Sequence, residues 1–396
     1  MLRLIAVAAV FAGCTTSSHS TDSGLQMNDL SILFPLPAND AELAAALGPS
    51  TLGVGGPLVP QALFEEDTDA NTIDYTKLHA VAFRLDPCFA HLGAITDRST
   101  CAAQLRVVFQ QVSDLGGGDI EANDVGVHAF YSVTNDQFDA AVHEVVAARL
   151  ANGGDTDLGS LAVHPILRAQ GLTGAFGTAL AGIITKYAGA ANLVKFTSLA
   201  GFEAGGGAHP LIQPTSFWSF QGFDIANNAT TAMVIPTLPN SVTSMSVSAG
   251  NTSPLAASIA PVTSSNDNIE TLINSFELGM ATSAAKQSAF DAALRIENPA
   301  ASSPNTIDCG SCHLAQFAVQ LVGTPVLHFT ESGNANAFVA DPGIPSVDLT
   351  PMTALVQGDG SINLHAFSYR GTGPMINQRV VNETAANLAY LVSQGF

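Results

Sequence analysis

Two cysteines three residues apart with a histidine directly behind them, Cys309-Gly310-Ser311-Cys312-His313, constrain this chain more than any other feature. That spacing lets both thiols bond the two vinyl groups of one haem, while the adjacent imidazole comes under the iron as proximal ligand. Two other uses of the same residues stay open at this point: a disulfide between Cys309 and Cys312, and half of a zinc site with His313 incidental. A zinc site wants a second ligand pair, and the sequence offers no further C-x-x-C and no close H-x₃₋₅-H. One covalent haem c is the expected cofactor, provided that the chain is exported to where haem is attached.

The first fourteen residues predict that export. Met1-Leu2-Arg3 is a short positive n-region, Leu4 to Phe11 an apolar stretch too short to span a bilayer, and Ala12-Gly13 a small-residue cleavage site before Cys14. Together they resemble a bacterial lipoprotein signal, which implies lipidation of Cys14. Phe11 departs from the aliphatic residue usual in that pattern, so ordinary secretory cleavage is the alternative. Thr15, where inner-membrane retention would want an aspartate, points to anchoring in the outer membrane, facing periplasm or cell exterior. With Cys14 taken for lipid and Cys309 and Cys312 for haem, Cys88 and Cys101 are left as an even pair in an oxidising compartment, hence a disulfide.

Only 12% of the 396 residues are charged, against about 25% in ordinary soluble domains. A hydrophobic content of 47% nonetheless suffices for real cores. Without Arg3 there are 12 basic and 33 acidic residues, a formal charge of −21. Such a field repels nucleic acid and steers basic partner proteins toward the surface. No apolar run after the signal approaches membrane-spanning length, so membrane contact is expected through the N-terminal lipid only.

The fold expected is an α+β N-terminal domain with a mainly antiparallel sheet, followed by a small, mostly α-helical domain. Residues 1–13 read as signal peptide, 14–74 as tether and irregular Pro-rich segment, 75–240 as the α+β domain, 241–281 as linker and 282–396 as the haem domain. Leu78 to Leu85, Leu105 to Val112 and Val125 to Val133 read as strands, with alternation clearest in Val125, Val127, Ala129, Tyr131 and Val133. Thr134-Asn135-Asp136-Gln137 has the form of a capping box ahead of a helical stripe, and Phe176 to Tyr187 gives a second stripe ending near Gly189. Further strands are expected at Leu193 to Leu199, Phe217 to Phe223 and Ala232 to Ile235. The Phe217, Trp218, Phe220 and Phe223 aromatics read as core, with a ligand site as the alternative. No G-x-S-x-G or H-E-x-x-H is present, and no cysteine is left for a nucleophile.

Around the motif, the helix expected from Ala285 to Ile296, the continuation Leu314 to Val322 and the last helix, capped by Asn382 and ending in Ala389-Tyr390-Leu391, resemble a small class I cytochrome c. That resemblance implies a distal methionine in a loop ahead of the last helix, where Met375 stands among Gly371, Gly373 and Pro374. Ile376 departs from the family's usual proline. Met352 is the runner-up, His328 or His365 would give two histidine ligands, and an open site is the remaining case. The activity implied is electron carriage by a lipid-anchored monohaem cytochrome rather than catalysis. A haem enzyme or gas sensor with an open sixth position is one alternative, and a ligand-binding lipoprotein with an accessory haem is another.

Overall fold

The chain enters the fold earlier than its composition suggests. In the computed structural model, which describes residues 24–67, 73–89, 93, 95, 97–116, 118–202, 217–233, 244–248, 269–273, 275–333, 335–344 and 363–396, one helical turn, Met27–Leu30 (α1), leads into strand Ser31–Leu33 (β1). Asp40–Ala45 (α2), the small hairpin Leu52–Gly53 (β2) with Gly56–Pro57 (β3), and Gln61–Asp67 (α3) follow. Cys14, Met352 and most of the expected linker lie outside the described residues. Within the stretch expected as tether and irregular chain, residues 27–34 are core, with Leu30, Ile32 and Leu33 buried, whereas α2 has no buried residue. Elements of three or four residues are too short to display a period of 2 or 3.6.

Leu78–Phe89 (β4), Ala102–Asp114 (β5) and Ile120–Val133 (β6) are the three strands that alternation predicts, each longer than its apolar run. They pair antiparallel in that order, with β1 on the outer side of β4. Leu193–Phe202 (β7), Phe217–Ala226 (β8), Ala229–Ala232 (β9) and Ser244–Ser248 (β10) complete an eight-stranded sheet, with β7, β8 and β10 continuing its order and β9 folding back on β8. The β8–β9 turn is Asn227-Asn228, both at positive φ (54° and 59°), as a tight two-residue hairpin requires. It places β9 three residues before the strand expected at Ala232. β10 is a strand inside the expected linker. Cys88 and Cys101 are joined, with Cα atoms 5.2 Å apart, clamping the β4–β5 connection at its base.

Asn135–Gly153 (α4) starts at its capping box: the Thr134 hydroxyl accepts from the Gln137 amide, and the Gln137 side chain accepts from that of Thr134. Pro165–Gln170 (α5) was not legible beforehand; Ala175–Tyr187 (α6) is the second stripe. The C-terminal part holds Glu270–Ile273 (α7), Ser275–Met280 (α8), Ser283–Glu297 (α9) and Cys309–Phe317 (α10), which runs on into a π-helical turn at 318–323. The hairpin Phe367–Arg370 (β11) with Gly373–Ile376 (β12) and the helix Gln378–Ser393 (α11) end the chain. α11 begins at an Asn377 cap, five residues ahead of Asn382, whose side chain instead donates to the Glu297 carbonyl at 2.8 Å.

The α+β class and the mainly antiparallel sheet are as expected; among the C-terminal helices, α7, α9 and α10 build a second buried cluster, whereas α11 belongs to the large one. Val380, Val381, Ala385, Leu388 and Leu391 of α11 share one buried cluster with β4, β5, β6, α4 and α6. β11 is tied to the sheet: the Gln110 side chain accepts from the Tyr369 amide at 3.0 Å, and Ala122 and Gly371 exchange backbone bonds. α9 and α10 pack with Leu199 and Phe220 of the sheet. An amphipathic helix declares that it has an apolar face, not what covers it, and here the sheet covers it.

The pleat gives the sheet two unlike faces. Phe83, Val107, Ala129 and Phe196 are register partners across β4–β7, and all are fully buried in the large cluster. One residue along each strand, Arg84, Arg106, Phe130 and Lys195 are partners on the opposite face, followed on that face by Val108, His128 and Thr197. This second face meets α10 and α11.

Candidate functional site

The motif opens α10. The buried Asp308 carboxylate caps the helix, accepting from the Ser311 amide at 2.8 Å, and burial pushes its own pKa up to about 6. Helical spacing then puts Cys309, Cys312 and His313 on one face. All three line a single cavity between α10, α11 and the second face of the sheet. The two thiols are not joined to each other. Burial raises them to about 12 for Cys309 and about 11 for Cys312, the opposite of the lowered thiol that a redox C-x-x-C needs. Among the described residues no group of three or more His, Cys, Asp or Glu is arranged to hold a metal ion by itself.

His313 is held for one task. Its Nδ1 donates to the Leu364 carbonyl, which fixes the tautomer and leaves the Nε2 lone pair free. Burial, opposed by that hydrogen bond, pushes its pKa down to about 4, so the ring is neutral at pH 7. The Phe220 ring packs against it at 5.0 Å.

Opposite α10, the sheet supplies apolar surface from Val108, Phe130 and Phe89, while Ala366, Phe367 and Val380 close the side. Four of the chain's 13 basic residues, Arg84, Arg106, Lys195 and Arg379, also line the cavity, so scarce positive charge is concentrated here in a chain of net charge −20. Glu383 bridges two of them, at 3.2 Å from Arg84 and 2.7 Å from Arg379. Burial opposes its ionisation, but the guanidinium groups of Arg379, Arg84 and Arg106 outweigh it and hold the carboxyl down at about 2. Lys195 reaches Asp224 at 3.3 Å. Arg106 has no ion pair or hydrogen bond among the described residues; it lies over the Phe130 ring at 4.6 Å, and burial and then Arg84 push it down to about 10.

The structure brings Cys309, Cys312 and His313 together and leaves Met375 apart. Met375 is buried in β12 opposite Ser368 and does not line the cavity, because the Gly- and Pro-containing segment expected as a ligand loop is a hairpin, with Gly371 at φ +57°, docked on the sheet. His365 is buried with both ring nitrogens engaged, Nε2 to Asp124 at 3.0 Å and Nδ1 with the Ser368 hydroxyl at 2.9 Å. His328 is exposed. Missed in the sequence were the cavity's basic residues and His128. The signal was there: Arg84, Arg106 and His128 interrupt strands that are otherwise largely apolar. Burial and then the charge of Arg106 push the His128 pKa well below its ordinary value.

Comparison with protein-family models, with curated proteins and with solved structures finds no match.

Proposed function

We propose that this chain is an exported c-type haem protein that carries single electrons, with haem bonded to Cys309 and Cys312 and held by His313. The observation that carries the reading is the opening of both thiols and an imidazole of fixed tautomer into one partly apolar cavity. Each thiol adds across a vinyl group, its sulfur bonding one carbon and its hydrogen going to the other. The residues present fit the rest of the group: Val108, Phe130, Phe367 and Val380 suit a porphyrin face, and Arg84, Arg106, Lys195 and Arg379 suit its propionates. Bound there, the iron supplies one-electron exchange between its ferrous and ferric states. Through its hydrogen bond to the Leu364 carbonyl, His313 would present a more basic nitrogen to the iron.

Lipidation of Cys14, outer-membrane anchoring and a basic redox partner belong to the same reading, supported by the N-terminal pattern and the acidic net charge. No helix among the described residues is long and apolar enough to cross a membrane. A second reading, an iron left open on one side for a gas or small substrate, is favoured by the lining itself, to which neither Met375 nor His365 contributes. Denatured protein matured with haem-attachment machinery should keep haem stain on a gel, and Cys312→Ala should weaken or abolish it. A colourless wild-type chain would refute the proposal. Reduced protein that binds CO rapidly would favour the open-site reading over the carrier.

A further inference from the structure

We propose that His128 is the distal iron ligand, facing His313 from the sheet; this rests on the covalent-haem reading above. Helix α10 and the sheet form opposing walls of the cavity, and each contributes one histidine to its lining. His128 lies in β6, hydrogen-bonded on both sides, with Val108 of β5 and Thr197 of β7 as register partners. A central strand fixes its side chain more firmly than a loop would, which suits a ligand that must stay aligned through a redox cycle.

The second observation is what His128 lacks. Neither of its ring nitrogens has a hydrogen-bond partner among the described residues, although the side chain is half-buried. Both nitrogens are left to whatever occupies the cavity, whose lining includes His128. His365, the histidine singled out in the sequence for the same role, is satisfied at both nitrogens. His313 spends one nitrogen on a carbonyl and keeps the other for the cavity. His128 alone among these three has both nitrogens uncommitted, and it shares the cavity with the proximal histidine. Imidazole is a good iron ligand in its neutral form. Haem bound there would take one histidine from a helix and one from a sheet.

The test uses the full chain carrying its haem. Ferric wild type should be low-spin by electron paramagnetic resonance, with the signature of two imidazoles and without the near-infrared sulfur-to-iron band. His128→Ala should keep covalent haem on a denaturing gel, become high-spin and bind CO when reduced, and added imidazole should restore the low-spin signal. That rescue separates a ligand from a residue that merely supports the wall. If His128→Ala yields too little protein, His128→Met should stay six-coordinate, acquire the sulfur-to-iron band and raise the reduction potential. A high-spin wild type, a low-spin His128→Ala without added imidazole, or a wild-type sulfur-to-iron band lost in Met352→Ala or Met375→Ala would overturn the assignment. Each of those results leaves covalent haem standing, whereas absence of haem stain in wild type would remove both proposals at once.

Discussion

On one face of strands β4–β7, Phe83, Val107, Ala129 and Phe196 follow one another across the register, none of them exposed; on the other, Arg84, Arg106, Phe130 and Lys195 do the same around a cavity. The same backbone carries both rows. Apolar partners are non-directional, so the first face closes by packing against whatever helix stripe is at hand. The second cannot close that way, because its cations outnumber the carboxylates that line the cavity with them, Asp308 and Glu383. Repulsion between Arg84 and Arg106 is part of what burial there costs. One face is therefore organised for stability. The other gathers more positive charge than the carboxylates lining it can balance.

Two buried arginines sharpen the contrast. Arg149, in α4, is fully enclosed and bonded through Nε to the equally enclosed Asp29 at 2.7 Å. Arg149→Ala would leave that carboxylate buried without its partner. Stability should fall by about 3–5 kcal/mol, seen as a lower urea midpoint at unchanged slope. A loss under about 1 kcal/mol would mean that Asp29 simply takes up a proton, since burial already lifts its pKa to about 6.

What could be read from sequence divides along the same line. The apolar row was legible because Val125, Val127, Ala129, Tyr131 and Val133 alternate within one strand, and the α4 cap because Thr134 and Gln137 are three residues apart. The disulfide followed from parity among five cysteines. The intervening residues of β6, with His128 among them, would ordinarily face water. They are covered by α10 and the segment from Ala366 to Glu383, some two hundred residues later in the chain, and no local pattern announces such a contact. The same distance hid the docking of α11 on the sheet. Its stripe was visible in Ala385, Leu388 and Leu391, its partner was not. The motif fixed the three residues of the helical wall; the facing wall required the register.

The disulfide closes the end of the sheet where both rows begin, and it should act on the chain as a whole rather than on either face. Its two cysteines are 13 residues apart, and by the chain-entropy account a loop near that length contributes about 3 kcal/mol. Cys88→Ala with Cys101→Ala should lower the urea midpoint accordingly while leaving haem stain intact. Loss of covalent haem in that variant would instead tie the β4–β5 connection to the cavity, whose lining includes Phe89.

Arg379 touches a glutamate on the cavity side and influences another behind it, and the two respond oppositely to pH. Glu383, held at about 2, adds stability that is complete above its unfolded pKa near 4.5 and is lost as pH falls toward 2. Glu297 is pushed up to about 8 by burial, only partly offset by Arg379, so between about 4.5 and 8 the folded state binds the extra proton and stability falls as pH rises. The slope from one such group is at most about 1.4 kcal/mol per pH unit. Glu297→Gln should flatten stability over that window and leave the acid limb in place. Glu383→Gln should flatten the acid limb instead.

The smallest effect on stability is expected where the comparison is sharpest. Arg106, unlike Arg149, is in an ion pair with no carboxylate among the described residues: Glu383 keeps Arg84 at 3.2 Å and Arg379 at 2.7 Å, and Asp86, which Arg106 also stabilises, keeps Arg84 nearby and the Cys88 amide at 3.0 Å. Arg106→Met retains a side chain over Phe130 and removes a desolvated charge, so the urea midpoint of haem-free protein should move by less than about 1 kcal/mol in free energy. In the haem-bearing protein the same substitution should lower the reduction potential, since a cation beside the porphyrin favours the ferrous iron, which carries one positive charge fewer. If stability drops by several kcal/mol while the potential stays fixed, Arg106 belongs to the closed architecture after all, and the two faces of the sheet differ less than their register implies.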